Sequence, residues 1–325
     1  MKIPFLSVLL FTLFTVPQIA QAGDYRYDFD LAKLYNAYEN TDPFTALTDR
    51  TTAYRNLVSE MGVAFGPSFL APAETLGYMG MALGVNYGLT TINGTADYWK
   101  NGVDGNAAGF VQTLGMEVRR GMWFPLPGFE IGGGLKYLTE SHMYAPHVFA
   151  KFSINEGYFD IPIPAIAVRG FGTRVMGSRE VDLTVASVDV SLSKSFGIAS
   201  TLNVTPYLGY NYLMIISDSK VIDTTPGIDS LNPDGSITFG PGTSCTDADC
   251  NNNVVFDDQD MIARHRIFFG ARFIYYKMAI TLEGIFTLKG TSSDEILEPV
   301  SGRTQAIKDK SVLQQTYSIQ FGWDF

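Results

Sequence analysis

The chain has 325 residues, of which 17% are charged and 46% hydrophobic, and its formal net charge is −10. An acidic chain without clustered Lys and Arg lacks the groups that neutralise phosphates, which argues against nucleic acid as a partner. The same charge argues against a polybasic anchor on a lipid surface.

Residues 1–22 have the pattern of an export signal. Lys2 precedes an apolar run from Phe5 to Val16, and Ala20-Gln21-Ala22 matches an A-x-A cleavage site. The run is too short for a transmembrane helix, which needs ~20 residues. We therefore predict a cleaved signal peptide and an exported chain.

The rest of the chain shows strand periodicity. No stretch after residue 22 carries 18 consecutive apolar residues, so only a closed barrel could cross a bilayer. Near the C-terminus, one face is almost wholly apolar or aromatic and comprises Leu313, Gln315, Tyr317, Ile319, Phe321, Trp323 and Phe325. The pattern predicts an all-β fold, a closed antiparallel transmembrane barrel of about ten strands, within a range of eight to twelve. A soluble β-sandwich is the alternative, although strands this long are unusual there.

Connection lengths give an independent indication. The expected strands lie near 76–92, 109–124, 129–141, 144–154, 164–176, 181–195, 200–217, 261–276, 278–289 and 311–325. If the N-terminus is periplasmic and strand one runs outward, the three longest connections (93–108, 218–260 and 290–310) share the outer rim. Bacterial barrels have this asymmetry of short periplasmic turns and long outer loops.

The final strand resembles the terminal strand of bacterial outer-membrane proteins, in which the last aromatic residue, here Phe325, belongs to the signal read by the barrel-assembly machinery. This resemblance implies a multi-pass protein of the Gram-negative outer membrane, with outer-membrane lipid as its surroundings.

Residues 23–75 have helical rather than strand periodicity. Leu31, Leu34, Tyr35 and Tyr38 recur at helical spacing, and so do Leu57, Met61, Ala64 and Phe65. We predict two or three short helices joined at Asp42-Pro43, with Asp49 and Thr51 as candidate caps. These helices form either a periplasmic cap or a plug inside the barrel of residues 76–325, and their need for an apolar covering favours the plug.

The segment Ala71-Pro72-Ala73-Glu74-Thr75-Leu76-Gly77 resembles the start of the barrel in a group of poorly characterised proteobacterial outer-membrane proteins. The order of N-terminal helices and then a barrel is similar to that of the long-chain fatty-acid transporters. The chain departs from those transporters in having no Asn-Pro-Ala motif and fewer strands, so the resemblance carries over no site residues.

Strand parity places many charges inside the barrel. The basic set is Arg119, Lys136, Lys151, Arg169, Arg264, Arg266 and Arg272; the acidic set is Glu117, Glu130, Glu140, Asp189, Glu283 and Asp324. The sets nearly balance. Because side chains already fill an eight-stranded barrel and ten strands add little room, we expect a salt-bridged filling, with a narrow pore as the alternative. Arg264, Arg266 and Arg272 on one strand would bias such a pore toward anions.

The loop at 218–260 is the most distinctive polar segment. Cys245 and Cys250 are expected to form a disulfide in an oxidising compartment. Residues Asp247, Asp249, Asn251, Asn253 and Asp258 echo calcium-loop spacing, but Asn252 and Asp258 depart from the usual Gly and Glu. A solvated acidic loop is favoured over a calcium site, and no other cofactor is expected.

The sequence contains no recognisable motif for hydrolytic catalysis. The three histidines, His142, His147 and His265, form no recognisable set with a nucleophile and an orienting acid, so an enzyme is not expected. The first functional hypothesis is a barrel that passes or binds a small solute, amphipathic solutes included. The alternative is a structural or surface-interaction barrel.

Deleting Phe325 should lower the amount of folded, heat-modifiable protein in the outer membrane while leaving export intact, because the terminal aromatic is expected to guide assembly. Phe325→Tyr, which keeps an aromatic ring, is the matched control. Normal folded levels after the deletion would contradict the resemblance.

Overall fold

The computed structural model describes residues 25–155, 163–198, 201–224, 230–231, 237–238, 253–297 and 302–325. The expected signal peptide and the expected Cys245–Cys250 disulfide lie outside these ranges. Within them, no helix is long and apolar enough to cross a membrane.

Ten long antiparallel strands of the described residues close into a barrel. They are Met81–Thr91 (β1), Phe110–Met122 (β2), Phe129–Leu138 (β3), Tyr144–Ser153 (β4), Ala165–Arg174 (β5), Val181–Ser193 (β6), Leu202–Ser219 (β7), Gln259–Tyr275 (β8), Met278–Thr287 (β9) and Gln314–Asp324 (β10). Neighbours in sequence pair with each other, and β10 pairs with β1 to close the ring. The predicted fold is confirmed. β1 begins five residues later than expected because residues 77–80 turn, with positive φ at Gly77 and Met79.

Alternate side chains point to opposite sides of the wall, as a two-residue period requires. On β2, the outward Leu114 and Met116 are 45% and 52% exposed, whereas the inward Thr113 and Glu117 are 4% and 8% exposed. The apolar residues therefore form the outer surface and the polar residues line the lumen. A soluble protein has the opposite arrangement, with polar residues outside. An apolar outer surface is what contact with lipid requires.

The two rims differ as predicted. One rim carries the long connections, including 92–109 and 288–313, and the other carries turns such as 123–128 and 276–277. Exposed aromatic side chains cluster at the rim with short turns; they are Tyr78, Trp123, Phe124, Tyr275, Tyr276 and Phe325. Such girdles mark the membrane–water interface, and the rim with long loops is the extracellular one. The protein is thus a multi-pass barrel of the bacterial outer membrane.

In the described part of the chain, three helices accompany the strands: Leu31–Ala37 (α1), Pro43–Phe65 (α2) and Asp97–Gly102 (α3). The expected caps Asp49 and Thr51 were wrong, since both lie inside α2. The helix begins at Pro43, because proline favours the first helical position and the Asp42 carboxylate accepts the Thr45 N–H. The result is one helix of 23 residues.

The N-terminal segment lies at the outer rim, so the expected periplasmic start was wrong. The Tyr27 N–H donates to the Glu140 carbonyl and the Asp104 N–H donates to the Asp28 carbonyl, both across outer connections. Beyond α2 the chain descends through the lumen and leaves at the inner rim, where Met81 pairs with Phe325. Residues 43–76 therefore thread the barrel from outside to inside.

This path predicts opposite labelling of two cysteine variants in intact cells. With Cys245 and Cys250 replaced by serine, Tyr25→Cys should react with a membrane-impermeant maleimide, because Tyr25 is exposed at the outer rim. Lys277→Cys, in an inner-rim turn, should react only after the outer membrane is disrupted. The reverse pattern would contradict the orientation.

Candidate functional site

The lumen and the chain that fills it form the candidate site. Helix α2 occupies the outer half, and residues 66–76, here called the thread, continue toward the inner rim. From Ala53 to Phe65 every residue of α2 is buried. The helix contacts the barrel wall and the outer loops on all sides, which explains why its sequence is not cleanly amphipathic.

Apolar packing holds part of α2. Leu57, Met61 and Phe65 belong to one buried cluster with Trp99 from α3 and Ile215 from β7. Gly62 lies directly against Ile215, where a Cβ would come within 2.7 Å of the isoleucine side chain. The absence of a side chain at this position lets the helix approach the wall.

A buried carboxylate ties α2 to two outer connections. Glu60 is 0% exposed and accepts hydrogen bonds from Tyr98 Oη at 2.6 Å and Trp99 Nε1 at 2.7 Å. It also accepts from the backbone N–H groups of Asn93 and Val312, at 3.0 and 3.3 Å. One side chain therefore joins the helix to connections 92–109 and 288–313.

A second anchor surrounds Ser59. Its hydroxyl donates to Asp309 Oδ2 at 2.8 Å, lies 3.2 Å from Ser311 Oγ, and accepts from Arg264 Nη1 at 2.8 Å. Arg264 also donates to the carbonyls of Leu288 and Val312. The helix, the β8 wall and the connection before β10 are thus held in one polar network.

Arg55 forms a third anchor on α2. It is 0% exposed, and its guanidinium donates to Gln259 Oε1 at 2.6 Å and Ser292 Oγ at 3.0 Å, with Asp294 at 3.7 Å. Sequence reasoning missed Arg55, Ser59 and Glu60. The available signal was a set of polar residues inside an otherwise apolar helical stretch.

The thread contacts the wall through its backbone. Lys136 Nζ donates to the Gly66 carbonyl at 2.5 Å, Arg266 Nη2 to the Pro67 carbonyl at 2.8 Å, and Arg169 Nη1 to the Ser68 carbonyl at 3.4 Å. Deeper in the lumen, the Lys151 Nζ donates to the Pro72 and Glu74 carbonyls at 3.1 and 3.0 Å. Four predicted lumen cations are therefore ligands of the thread.

Lumen acids bind the same segment through its N–H groups. Glu283 accepts from the Phe69 N–H at 2.9 Å and from Tyr207 Oη at 2.9 Å. Glu130 accepts from the Leu76 N–H at 3.0 Å. The Phe69 ring stacks on Phe268 with centroids 3.8 Å apart.

Lumen charges also pair with one another along the wall. Arg119 lies between Glu117 and Glu130, at 3.5 and 3.4 Å; Lys151 is 3.1 Å from Glu130, Arg169 is 2.9 Å from Asp189, Arg272 is 2.6 Å from Asp324, and His147 is 3.8 Å from Glu117. The structure brings together every predicted lumen charge but one. Glu140, expected inside, lies at the outer rim and pairs with Arg26 at 2.6 Å, because β3 ends at Leu138.

The other two histidines lie away from the lumen. At the outer rim, Asp28 accepts from Ser141 Oγ at 2.6 Å and lies 2.5 Å from His142 Nδ1. Both groups bind the acid, so the imidazole is not directed at the hydroxyl. His265 faces lipid and is hydrogen bonded to Tyr210 at 2.5 Å.

Acidic groups near α1 have raised pKa values. Burial raises the pKa of Glu180, although the Leu31 N–H donates to its Oε2 at 2.6 Å. Burial, followed by repulsion from Asp30 and Asp28, raises the pKa of Asp104. Since the folded pKa values are raised, their contribution to stability is present below the unfolded values and is lost as the pH rises through the folded values. The folded state should therefore lose this stabilisation as the pH rises.

The calcium hypothesis rests largely on undescribed residues. Asp247, Asp249 and Asn251 lie outside the described ranges; Asn253 begins a short strand paired with Asp223, and Asp258 is exposed. Among the residues that the structure describes, no group of three or more His, Cys, Asp or Glu side chains is arranged to hold a metal ion.

A scan of protein-family models gives no match, and neither does a search of curated proteins. Solved structures similar to this chain include Neisserial surface protein A, at 10% identity over 76% of this chain and 95% of that one, with a TM-score of 0.29. The outer-membrane protease OmpT from Escherichia coli shows 6% identity over 76% and 95%, with a TM-score of 0.31. The translocator domain of the autotransporter NalP from Neisseria meningitidis shows 10% identity over 87% and 99%, with a TM-score of 0.31.

Replacing Glu60 by alanine should loosen the outer end of α2. The change leaves the buried Trp99 N–H without an acceptor, at a cost of about 1–3 kcal/mol, and also frees the half-buried Tyr98 hydroxyl. Limited proteolysis should then cut connections 92–109 and 288–313 faster. Glu39→Ala, at an exposed position on the same segment, is the control, and equal cutting in both variants would contradict the anchoring role.

Proposed function

We propose that this barrel passes a small solute, amphipathic solutes included, and that residues 43–76 are its gate. The observation that carries the proposal is the chemistry of the contact between the thread and the wall. Nearly every thread contact described above is a hydrogen bond between backbone and a wall side chain. Water or a polar solute can take over each of these bonds, and a hydrogen bond to a charged group contributes only about 1.5–3 kcal/mol net.

Helix α2, in the outer half of the lumen, keeps the barrel closed in the absence of solute. The three polar anchors on α2 connect it to loops rather than only to the wall, so a change in those loops reaches the helix directly. Their groups are polar and would be hydrated once displaced. The gate would move when a solute or loop partner weakens these anchors, and the lumen would open along the path of the thread.

A cleft at the outer end suits a first encounter with an amphipathic solute. It has a volume of about 500 Å³ between α1 and α2, and its lining includes Tyr35, Phe44, Leu47, Arg50 and the acidic Glu39. The Arg50 guanidinium lies 3.5 Å from the Tyr35 ring centroid. Aromatic surface beside a cation and a carboxylate matches a molecule with an apolar part and a polar part.

A disulfide across the gate tests the proposal. In a Cys245→Ser, Cys250→Ser background, Ser59→Cys with Ser311→Cys places sulfurs where hydroxyls lie 3.2 Å apart, one on α2 and one on the wall connection. Oxidised protein should stay closed in planar bilayers, and reduction should permit openings at least as frequent as those of the parent, because the lost hydroxyls also weaken the Ser59 anchor. The matched control is Thr90→Cys with Thr316→Cys, whose hydroxyls lie 2.9 Å apart between neighbouring wall strands.

The control disulfide should leave conductance unchanged, because it does not touch the gate. Equal conductance of the gate variant when oxidised and reduced would show that α2 does not control passage. Silence of the parent together with silence of Glu60→Ala would favour the alternative, a structural or surface-interaction barrel whose outer loops meet a partner.

A further inference from the structure

Three cations from three different strands converge on consecutive carbonyls of the thread. Lys136 comes from β3, Arg266 from β8 and Arg169 from β5, and they bind the carbonyls of Gly66, Pro67 and Ser68 as described above. The three side chains are 6%, 1% and 5% exposed. Both guanidinium groups also lie over the Phe69 ring, at 4.6 Å for Arg169 and 5.1 Å for Arg266.

Two of these cations lack a carboxylate partner. Among the described residues, neither Lys136 nor Arg266 makes an ion pair within 4.0 Å, whereas Arg169 pairs with Asp189. Nearby acids are already engaged: Glu283 by Phe69 and Tyr207, and Glu117 by Arg119 and His147. A buried cation whose direct partner is a carbonyl dipole is costly, because the dipole replaces only part of its lost hydration.

Donor capacity also remains unused at this point. Arg266 Nε and Nη1 and Arg169 Nη2 are buried without a hydrogen-bond partner. The three cations thus have more N–H donors than the three carbonyl oxygens of the thread can accept. An oxyanion offers several acceptor oxygens together with the negative charge that the two unpaired cations lack.

We propose that Lys136, Arg169 and Arg266 form a binding site for a small oxyanion, a phosphate or a carboxylate, and that the carbonyls of residues 66–68 occupy the places of its oxygens in the closed state. The inference rests on the proposed gate, because the site becomes available only when the thread moves. The solute that passes is then anionic, and it competes with the thread for the same donors.

Reversal potentials of single openings test this assignment. Under a gradient of potassium phosphate, and separately of potassium acetate, the parent should prefer the anion to potassium. Arg266→Gln should lower that preference about tenfold, the loss expected for one hydrogen bond to a charged group. Arg266→Lys, which keeps the charge, should retain most of it. A response to phosphate alone or acetate alone identifies the oxyanion.

Arg119→Gln is the matched control, because it also removes one lumen cation but one that is paired with Glu117 and Glu130. It should change the selectivity much less than Arg266→Gln. Heat-modifiability shows that each variant is folded. Equal effects of the two glutamine variants, or cation-selective openings of the parent, would overturn the oxyanion site and leave the gate standing. Absence of openings in the parent and in Glu60→Ala would remove the gate and the site together.

Discussion

A ring of ten strands encloses more space than its own inward side chains can fill, and the rest of this structure depends on what occupies that space. Eight strands give an interior that side chains just fill. Here the added room holds helix α2 and the thread. Because the wall facing them is charged, the contents of the lumen must supply hydrogen-bond partners as well as volume. The extended thread does so with its backbone, which offers both carbonyls and N–H groups.

The same requirement explains why the inserted chain is helical near the outer rim and extended deeper in the lumen. Near the outer rim, the helix satisfies its own backbone and contacts the wall through side chains, so apolar packing and a few polar anchors suffice. Past Gly66 the helix ends, and the backbone groups it no longer satisfies are taken by Lys136, Arg266 and Glu283. Cations at the carbonyl end of a helix are also favoured by its dipole. Charges that look excessive on the wall alone are therefore ligands of the inserted chain.

The wall could be predicted from the sequence because its signal is local. A two-residue period in segments such as 313–325 fixes which side chains face lipid, and turn lengths fix the rims. Parity alone also placed Arg266 and Glu283 inside. It could not tell that Arg266 meets the carbonyl of Pro67, 199 positions away. Nor could it place the N-terminus, since a barrel plugged from either rim has the same strand pattern. Asp42-Pro43 does join two helices, α1 and α2, as predicted. Only the start of α2 was placed too late, at Asp49 or Thr51, although an Asp followed by Pro is itself a strong helix start.

The path of the thread has a consequence for biogenesis. Residues 43–76 pass through a closed barrel and continue into folded structure at both rims. A finished barrel could take up this segment only by passing α1 and α2 through the lumen from the inner rim, where β1 begins. An open sheet could instead curl around a helix that had already formed. The seam between β1 and β10 joins the strand that follows the thread to the last strand of the chain, so sealing it last would enclose the helix without passing it through the lumen. In that order, α2 is already folded when the barrel closes around it, and the helix sets the space that the barrel must enclose.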